Sequence, residues 1–258
     1  MPDRKLSLGR QFILAYEDTF RVLPRMWPAL VAMVFIMVAV TLVTGLAGRF
    51  VGTRLGDAAL DLLSGAAIAY AIAPYLYAFC RAVAFDEVTT NPERLRSATA
   101  VQQFAAWLVV LFIVAGLYDF AFKLFGPAIT PGMTPEEAMT AQLDPAVALL
   151  VLGLLFASLI FSVRATTLLP MLALDPPESS PLATALARTR GRFWFIAGLL
   201  LVCGLPVGLG GMVALVVVGV LFGPLALFVM APLTYAIFAL AMLVGLAASL
   251  RLHQAYSA

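Results

Sequence analysis

From Phe193 to Leu250 the chain runs for 58 residues without a charged side chain. As one α-helix, at 1.5 Å per residue, that stretch would be roughly 87 Å long, close to three hydrocarbon cores of a bilayer. It must therefore fold back, and Gly223-Pro224 is the best punctuation for the turn. Shorter apolar runs lie upstream, and the whole pattern predicts six spans near 28–48, 60–80, 100–122, 145–169, 193–222 and 225–250. Only 12% of the 258 residues are charged and 63% are hydrophobic. A soluble domain carries about one quarter charged residues, so water cannot be the solvent for most of this surface. The expected fold is all-α, a single polytopic membrane domain over 1–258, with interfacial amphipathic helices near 6–23, 92–99 and 181–191.

Loop charge sets an expected orientation. The amino-terminal segment, the second loop, the fourth loop and the tail together hold twelve basic residues: Arg4, Lys5, Arg10, Arg21, Arg25, Arg81, Arg94, Arg96, Arg188, Arg190, Arg192 and Arg251. The opposite loops hold Arg49, Arg54 and Lys123, and carry Asp57, Asp61, Asp119, Glu136, Glu137 and Asp144. Both termini are thus expected to be cytoplasmic. Residues 1–27 lack the basic head, short apolar core and cleavage site of a secretory signal and are expected to be retained. A net charge of +2 gives no reason to expect nucleic acid. Cys80 and Cys203 lie in apolar runs without a CxxC and read as buried structural thiols.

A threefold pattern accompanies the spans. Trp27, Trp107 and Trp194 stand near the starts of the odd-numbered spans, at the depth where an indole is comfortable. Arg81, Arg164 and Arg251 end the even-numbered ones, where a guanidinium can snorkel to phosphates. Ahead of the first span, Leu8, Phe12, Tyr16, Phe20 and Leu23 share a helical face, with Arg10, Glu17, Asp18, Arg21 and Arg25 pointing away. Asn91-Pro92 and Ser180-Pro181 are N-cap and first-turn pairs for the other two interfacial helices. The third of these sets Leu182, Leu186 and Phe193 against Arg188 and Arg192. Either a true repeat or ordinary border anchoring accounts for the pattern.

Few residues offer chemistry. Asp57 with Asp61, and Asp119 with Lys123, share helix faces but have no third ligand and read as solvated span ends. His253, the only histidine, lies in the tail and reads as a solvated or headgroup-facing residue. Arg164 reads as a border anchor, or as a partner for Asp175 or a backbone carbonyl, with 166–174 in the interface or capping the bundle. The fifth span contains Gly204, Pro206, Gly208, Gly210 and Gly211, which predicts a kink or an unwound stretch. Such breaks line substrate sites in transporters. Glycines also permit close packing, and Gly204-x-x-x-Gly208 and Gly219-x-x-x-Gly223 fit that use. The span cores lack the carboxylates, histidines and lysines on which proton or sodium coupling depends. No GxxxxGK phosphate loop, GxSxG or HExxH occurs, and no cofactor or metal is expected.

The segment from Arg164 through Pro170 and Asp175, followed by PLATALARTRGRFW at 181–194, resembles bacterial six-span proteins related to the membrane domain of glycerophosphodiester phosphodiesterases. The run Leu6-Ser7-Leu8-Gly9 before a long amphipathic helix is similar too. The likeness is specific over about 30 residues and architectural elsewhere. Asp175 stands where glutamate is commoner, and no soluble catalytic domain accompanies the spans, so the resemblance implies fold and location rather than phosphodiesterase activity.

Fourteen arginines against two lysines suggest a GC-rich bacterial genome and hence the inner membrane. The leading expectation is a non-catalytic membrane component that organises lipid of the anionic leaflet or serves as a scaffold for a membrane partner. It would act through the basic surface of Arg21, Arg25, Arg94, Arg96, Arg188, Arg190 and Arg192. The rival is a transporter or channel for a small or amphiphilic solute, passing beside the fifth span through a polar cavity that reaches Pro206. A lipid-directed enzyme would need Asp86, Glu87 and Arg94 to converge with Asp175.

Overall fold

A computed structural model describes residues 7–89, 95–126, 144–175, 180–223 and 226–257. It is helical throughout, and no strand occurs among the described residues. In chain order the helices are α1 (Leu8–Val22), α2 (Trp27–Val51), α3 (Arg54–Phe85), α4 (Thr99–Phe125), α5 (Pro145–Arg164), α6 (Leu168–Leu174), α7 (Pro181–Arg188), α8 (Phe193–Phe222) and α9 (Ala226–Ser257). Six stretches are long and apolar enough to cross a membrane, with α5 and α6 forming one of them across a short break. This is the fold of a multi-pass membrane protein.

Local chemistry accounts for the boundaries. Ser7 caps α1 by accepting from the Arg10 N–H, Thr53 caps α3 through the Gly56 N–H, and Asp144 caps α5 through the Ala146 N–H. These are the donors a helix start leaves unpaired. Gly52 leaves α2 in the left-handed region at φ +60, Gly191 turns the chain into α8 at φ +77, and Gly223 ends α8 at φ +50. Asp86 takes the same left-handed region at the end of α3, a conformation short polar side chains tolerate better than others.

The central helices are α3 and α9, whose most apolar windows are 61% and 44% buried, against 11% for α5–α6 and for α8. Neighbours follow the order α2, α3, α4, α5, α8, α9 and back to α2, with α3 also touching α9. Small residues line the centre, Ala69, Ala73, Ala78 and Ala82 on α3 and Ala239, Ala247 and Ala248 on α9, so backbones approach closely. The largest buried side chains, among them Phe79, Leu168, Met171, Leu172, Ile196, Leu199 and Leu250, gather toward the end that carries Arg81 and Arg251. That arginine end is closed by α1, which packs on α8 and α9, and by α6, which is wedged among α3, α4 and α9. The short α6 therefore caps the bundle, with Leu168, Pro170, Met171, Leu172 and Ala173 all buried.

Several expectations need correction. The buried stripe of α1 is Gln11, Ala15, Asp18, Thr19 and Val22. Phe12, Tyr16 and Leu23 flank it, and Phe20 is exposed. Asp18 can be buried because Arg251 neutralises it, and Thr19 because its hydroxyl donates to its own Ala15 carbonyl. The small Ala15 and Thr19 then let α1 come close. Residues 95–98 form a turn before α4, while Asn91-Pro92 lie outside the described residues. α8 is not unwound: it is continuous through Pro206, and Pro206, Gly208 and Gly210 are exposed. A Cβ at Gly204, Gly208, Gly219 or Gly223 would meet nothing within 4 Å, so neither expected small-residue pair packs a neighbour. Gly211 does: a Cβ there would lie 2.6 Å from Ile237 Cγ2 of α9.

Candidate functional site

The arginine end holds most of the polar chemistry, and its guanidinium groups reach inward as well as outward. Arg251 on α9 makes a bidentate pair with Asp18 on α1, Nε to Oδ2 at 2.6 Å and Nη2 to Oδ1 at 2.7 Å. Asp18 is 4% exposed and the Arg251 side chain 30%, so the amino-terminal helix is joined to the carboxy-terminal one by a partly buried pair. Arg81 near the end of α3 pairs with Glu87 at 2.7 Å, also donates to the Ala173 carbonyl of α6 at 3.5 Å, and stacks over Phe85. Arg164 at the end of α5 donates to the Leu186 carbonyl of α7 at 3.1 Å, and Thr189 donates back to the Arg164 carbonyl at 2.8 Å. The three even-span arginines thus clasp protein, and snorkelling to phosphates alone does not describe them. A guanidinium has five N–H donors in a fixed fork, which suits it to hold a carboxylate and a bare carbonyl at once.

The other basic residues divide similarly. Arg21 donates to the Val83 carbonyl at 3.2 Å while its side chain stays 56% exposed. Arg25 pairs with Asp86. Arg188 Nη1 lies 2.9 Å from His253 Nδ1, so the buried histidine is part of the protein's own packing, not the solvated residue expected. Arg192 stacks on Tyr256 with 4.3 Å to the ring centroid. Arg190 is exposed, and Arg94 lies outside the described residues. Trp27 and Trp194 stand exposed at the first turns of α2 and α8, as a belt residue would. Trp107 differs: it sits two turns inside α4 and is partly buried against the core.

Two further contacts lie beside helix prolines, each to the carbonyl three residues before the proline. Proline lacks the N–H its i−4 carbonyl needs and loosens the neighbouring bond. At Pro74, Arg96 donates to the Ala71 carbonyl at 3.1 Å and its guanidinium lies 5.5 Å from the Tyr70 ring centroid. At Pro206, the Tyr16 hydroxyl donates to the Cys203 carbonyl at 2.8 Å and is met by the Val207 N–H. Burial pushes the Tyr16 phenol above its ordinary value, Cys203 adds to that, and the Val207 N–H pulls the other way. The hydroxyl therefore keeps its proton and acts as a donor at neutral pH. In both places the donor comes from a segment just before an odd-numbered span. Nothing in the residue pattern alone ties Tyr16 to position 203 or Arg96 to position 71.

The opposite end carries Lys123 between Asp61 at 2.5 Å and Asp119 at 2.9 Å, while Arg54 donates to the Gly126 carbonyl. A cavity of about 320 Å³ opens there between α3 and α4 and against Phe238. No residue of α8 lines it, so it does not reach Pro206. A Cβ at Gly48 of α2 would lie 3.8 Å from Asp57 Oδ1. Among the described residues no group of histidine, cysteine and carboxylate side chains is arranged to hold a metal. Asp86 and Glu87 are each taken by an arginine, and both cysteines are free and buried. Comparison of the chain with protein-family models, curated proteins and solved structures finds no match.

Proposed function

We propose that the protein is a non-catalytic bacterial inner-membrane component, with both termini cytoplasmic, that organises anionic lipid and serves as an accessory or scaffold unit for a membrane partner. The carrying observation is the arginine end, where exposed Arg21, Arg25, Arg190 and Arg192 stand beside exposed Trp27 and Trp194. Arg21 and Arg25 use only part of their guanidinium groups in internal bonds, and Arg192 stacks on Tyr256 by its face, so N–H groups remain to meet phosphates. That combination suits a fixed basic surface at the headgroup level, where each exposed basic residue is worth about 1 kcal/mol near an anionic leaflet. Kinship with the phosphodiesterase membrane domain belongs to this proposal and rests on residues 164–194 and on the run Leu6-Ser7-Leu8-Gly9. The transport alternative draws no support from the wall of α8 around Pro206, which faces outward.

The test reverses Arg190 and Arg192 to glutamate and leaves Arg188 in place, because Arg188 contacts His253. Native mass spectrometry of protein extracted in mild detergent should show at least about tenfold less retained phosphatidylglycerol or cardiolipin. Unchanged lipid retention together with an unchanged set of co-purifying proteins would overturn the reading.

A further inference from the structure

The cleft at the end opposite the arginines is built like a receptor for an amphiphile. One wall is Ala58, Asp61, Leu62 and Gly65, spaced three and four apart on a single face of α3, and the other is the facing stripe of α4 from Phe112 to Phe120. Toward the arginine end the same two helices are in tight aromatic contact, Tyr77 edge-on to Phe104. Small residues, Ala58, Gly65, Ala115 and Gly116, line the hollow between them. A Cβ at Gly116 would come within 3.0 Å of Leu62 Cδ1, so the missing side chain is part of what leaves the hollow open. Its volume of about 320 Å³ falls at the small end of ligand sites, and its walls are apolar except at the mouth.

That mouth holds two carboxylates and one ammonium, a net charge of −1. Lys123 has three donors and no acceptor, while two carboxylates present about eight acceptor positions. One lysine cannot saturate them. The side chains of Asp61, Asp119 and Lys123 are 53%, 45% and 39% exposed, so the remaining acceptors are within reach of a headgroup. Arg54, the other nearby cation, is held by the Gly126 carbonyl.

We infer that this cleft binds an amphiphile with an ammonium headgroup, its alkyl chain lying between α3 and α4 and its head at the Asp61–Lys123–Asp119 mouth. The chemistry fits an ethanolamine phospholipid of the surrounding leaflet or a free alkylammonium. The site stands apart from the arginine end, and its failure would leave the reading of that end untouched.

The experiment uses the full chain in a neutral maltoside detergent, with native mass spectrometry as readout. Phosphatidylethanolamine and phosphatidylglycerol of identical chains are compared, and dodecyltrimethylammonium is compared with dodecyl phosphate. In the Arg190→Glu/Arg192→Glu double variant, whose arginine end no longer draws anionic lipid, ammonium heads should be retained about tenfold better than anionic ones, as expected for a charge-assisted bond in a partly shielded site. Retention of the ethanolamine lipid identifies the bilayer as the source, and retention of the alkylammonium alone identifies a free amphiphile. Asp119→Asn, which changes charge and not shape, should abolish the preference without lowering the melting temperature. In the otherwise wild-type chain, Ala115→Phe should fill the cleft and remove the retention of ammonium amphiphiles, leaving anionic lipid at the arginine end in place. Equal retention of both head types by the double variant, or an unaltered preference when Asp119→Asn is added to it, would sink the proposal.

Discussion

At the scale of single residues, the protein's polar side chains are arranged to satisfy backbone and buried charge. The Asp18–Arg251 pair is the clearest case, since removing either member leaves the other poorly solvated. Asp18→Ala should lower stability by about 2 kcal/mol, the range of hydrogen bonds to charged groups, measured as the melting temperature in detergent. The exchange Asp18→Arg with Arg251→Asp should recover part of the loss, which a purely steric role for Asp18 would not allow. Tyr16→Phe keeps the ring and removes the bridge at Pro206. It should cost about 1 kcal/mol and speed amide exchange at Val207, with no change at positions away from Pro206. Neither partner was legible beforehand. Asp18 reads from helical periodicity as solvent-facing, and only the approach of α9 makes burial the better place for it.

Among the elements, the spans were legible because hydrocarbon demands about twenty apolar residues per crossing whatever the neighbours do. Of the span boundaries, the turn at Gly223-Pro224 was read from the sequence, whereas the caps at Thr53 and Asp144 were not, and α3 runs from Arg54 to Phe85, well beyond the expected 60–80. Packing was not legible. Gly204 and Gly208 match a close-approach spacing yet face open space, while Gly211, outside that spacing, is the one that α9 presses against. Gly211→Ala should therefore loosen the α8–α9 pair by about 1–3 kcal/mol, the usual penalty of overpacking, whereas Gly204→Ala and Gly208→Ala should be tolerated. Melting temperatures of the three variants, measured side by side, decide it. The α6 plug was legible as one of two readings of 166–174, in the interface or capping the bundle, and its buried residues fit the second. Its burial depends on α3, α4 and α9 leaving a space at that end.

Across the whole molecule, the clasps follow a cyclic order. Arg81 closes on Glu87, ahead of α4; Arg164 closes on α7, ahead of α8; and Arg251 closes on α1, ahead of α2. The first two join neighbours in sequence, and the third spans 233 residues to close the ring. This order is what three related helical hairpins around one axis would give, and it ties the arginine end together while the opposite end stays open enough for a cavity. A membrane-impermeant maleimide should label a cysteine placed at Arg190 and one placed at Thr53 from opposite sides of the membrane, with the buried native Cys80 and Cys203 unreactive. Labelling from the same side would refute the six-span threading. The amino-acid order alone determined the solvent, the number of crossings and the uneven distribution of arginine, because those depend on transfer from water and on charge near a bilayer, which act on each segment separately. Which arginine meets which carbonyl, which glycine is pressed and where a hollow remains were decided by tertiary structure, because each needs two distant segments to arrive at one place.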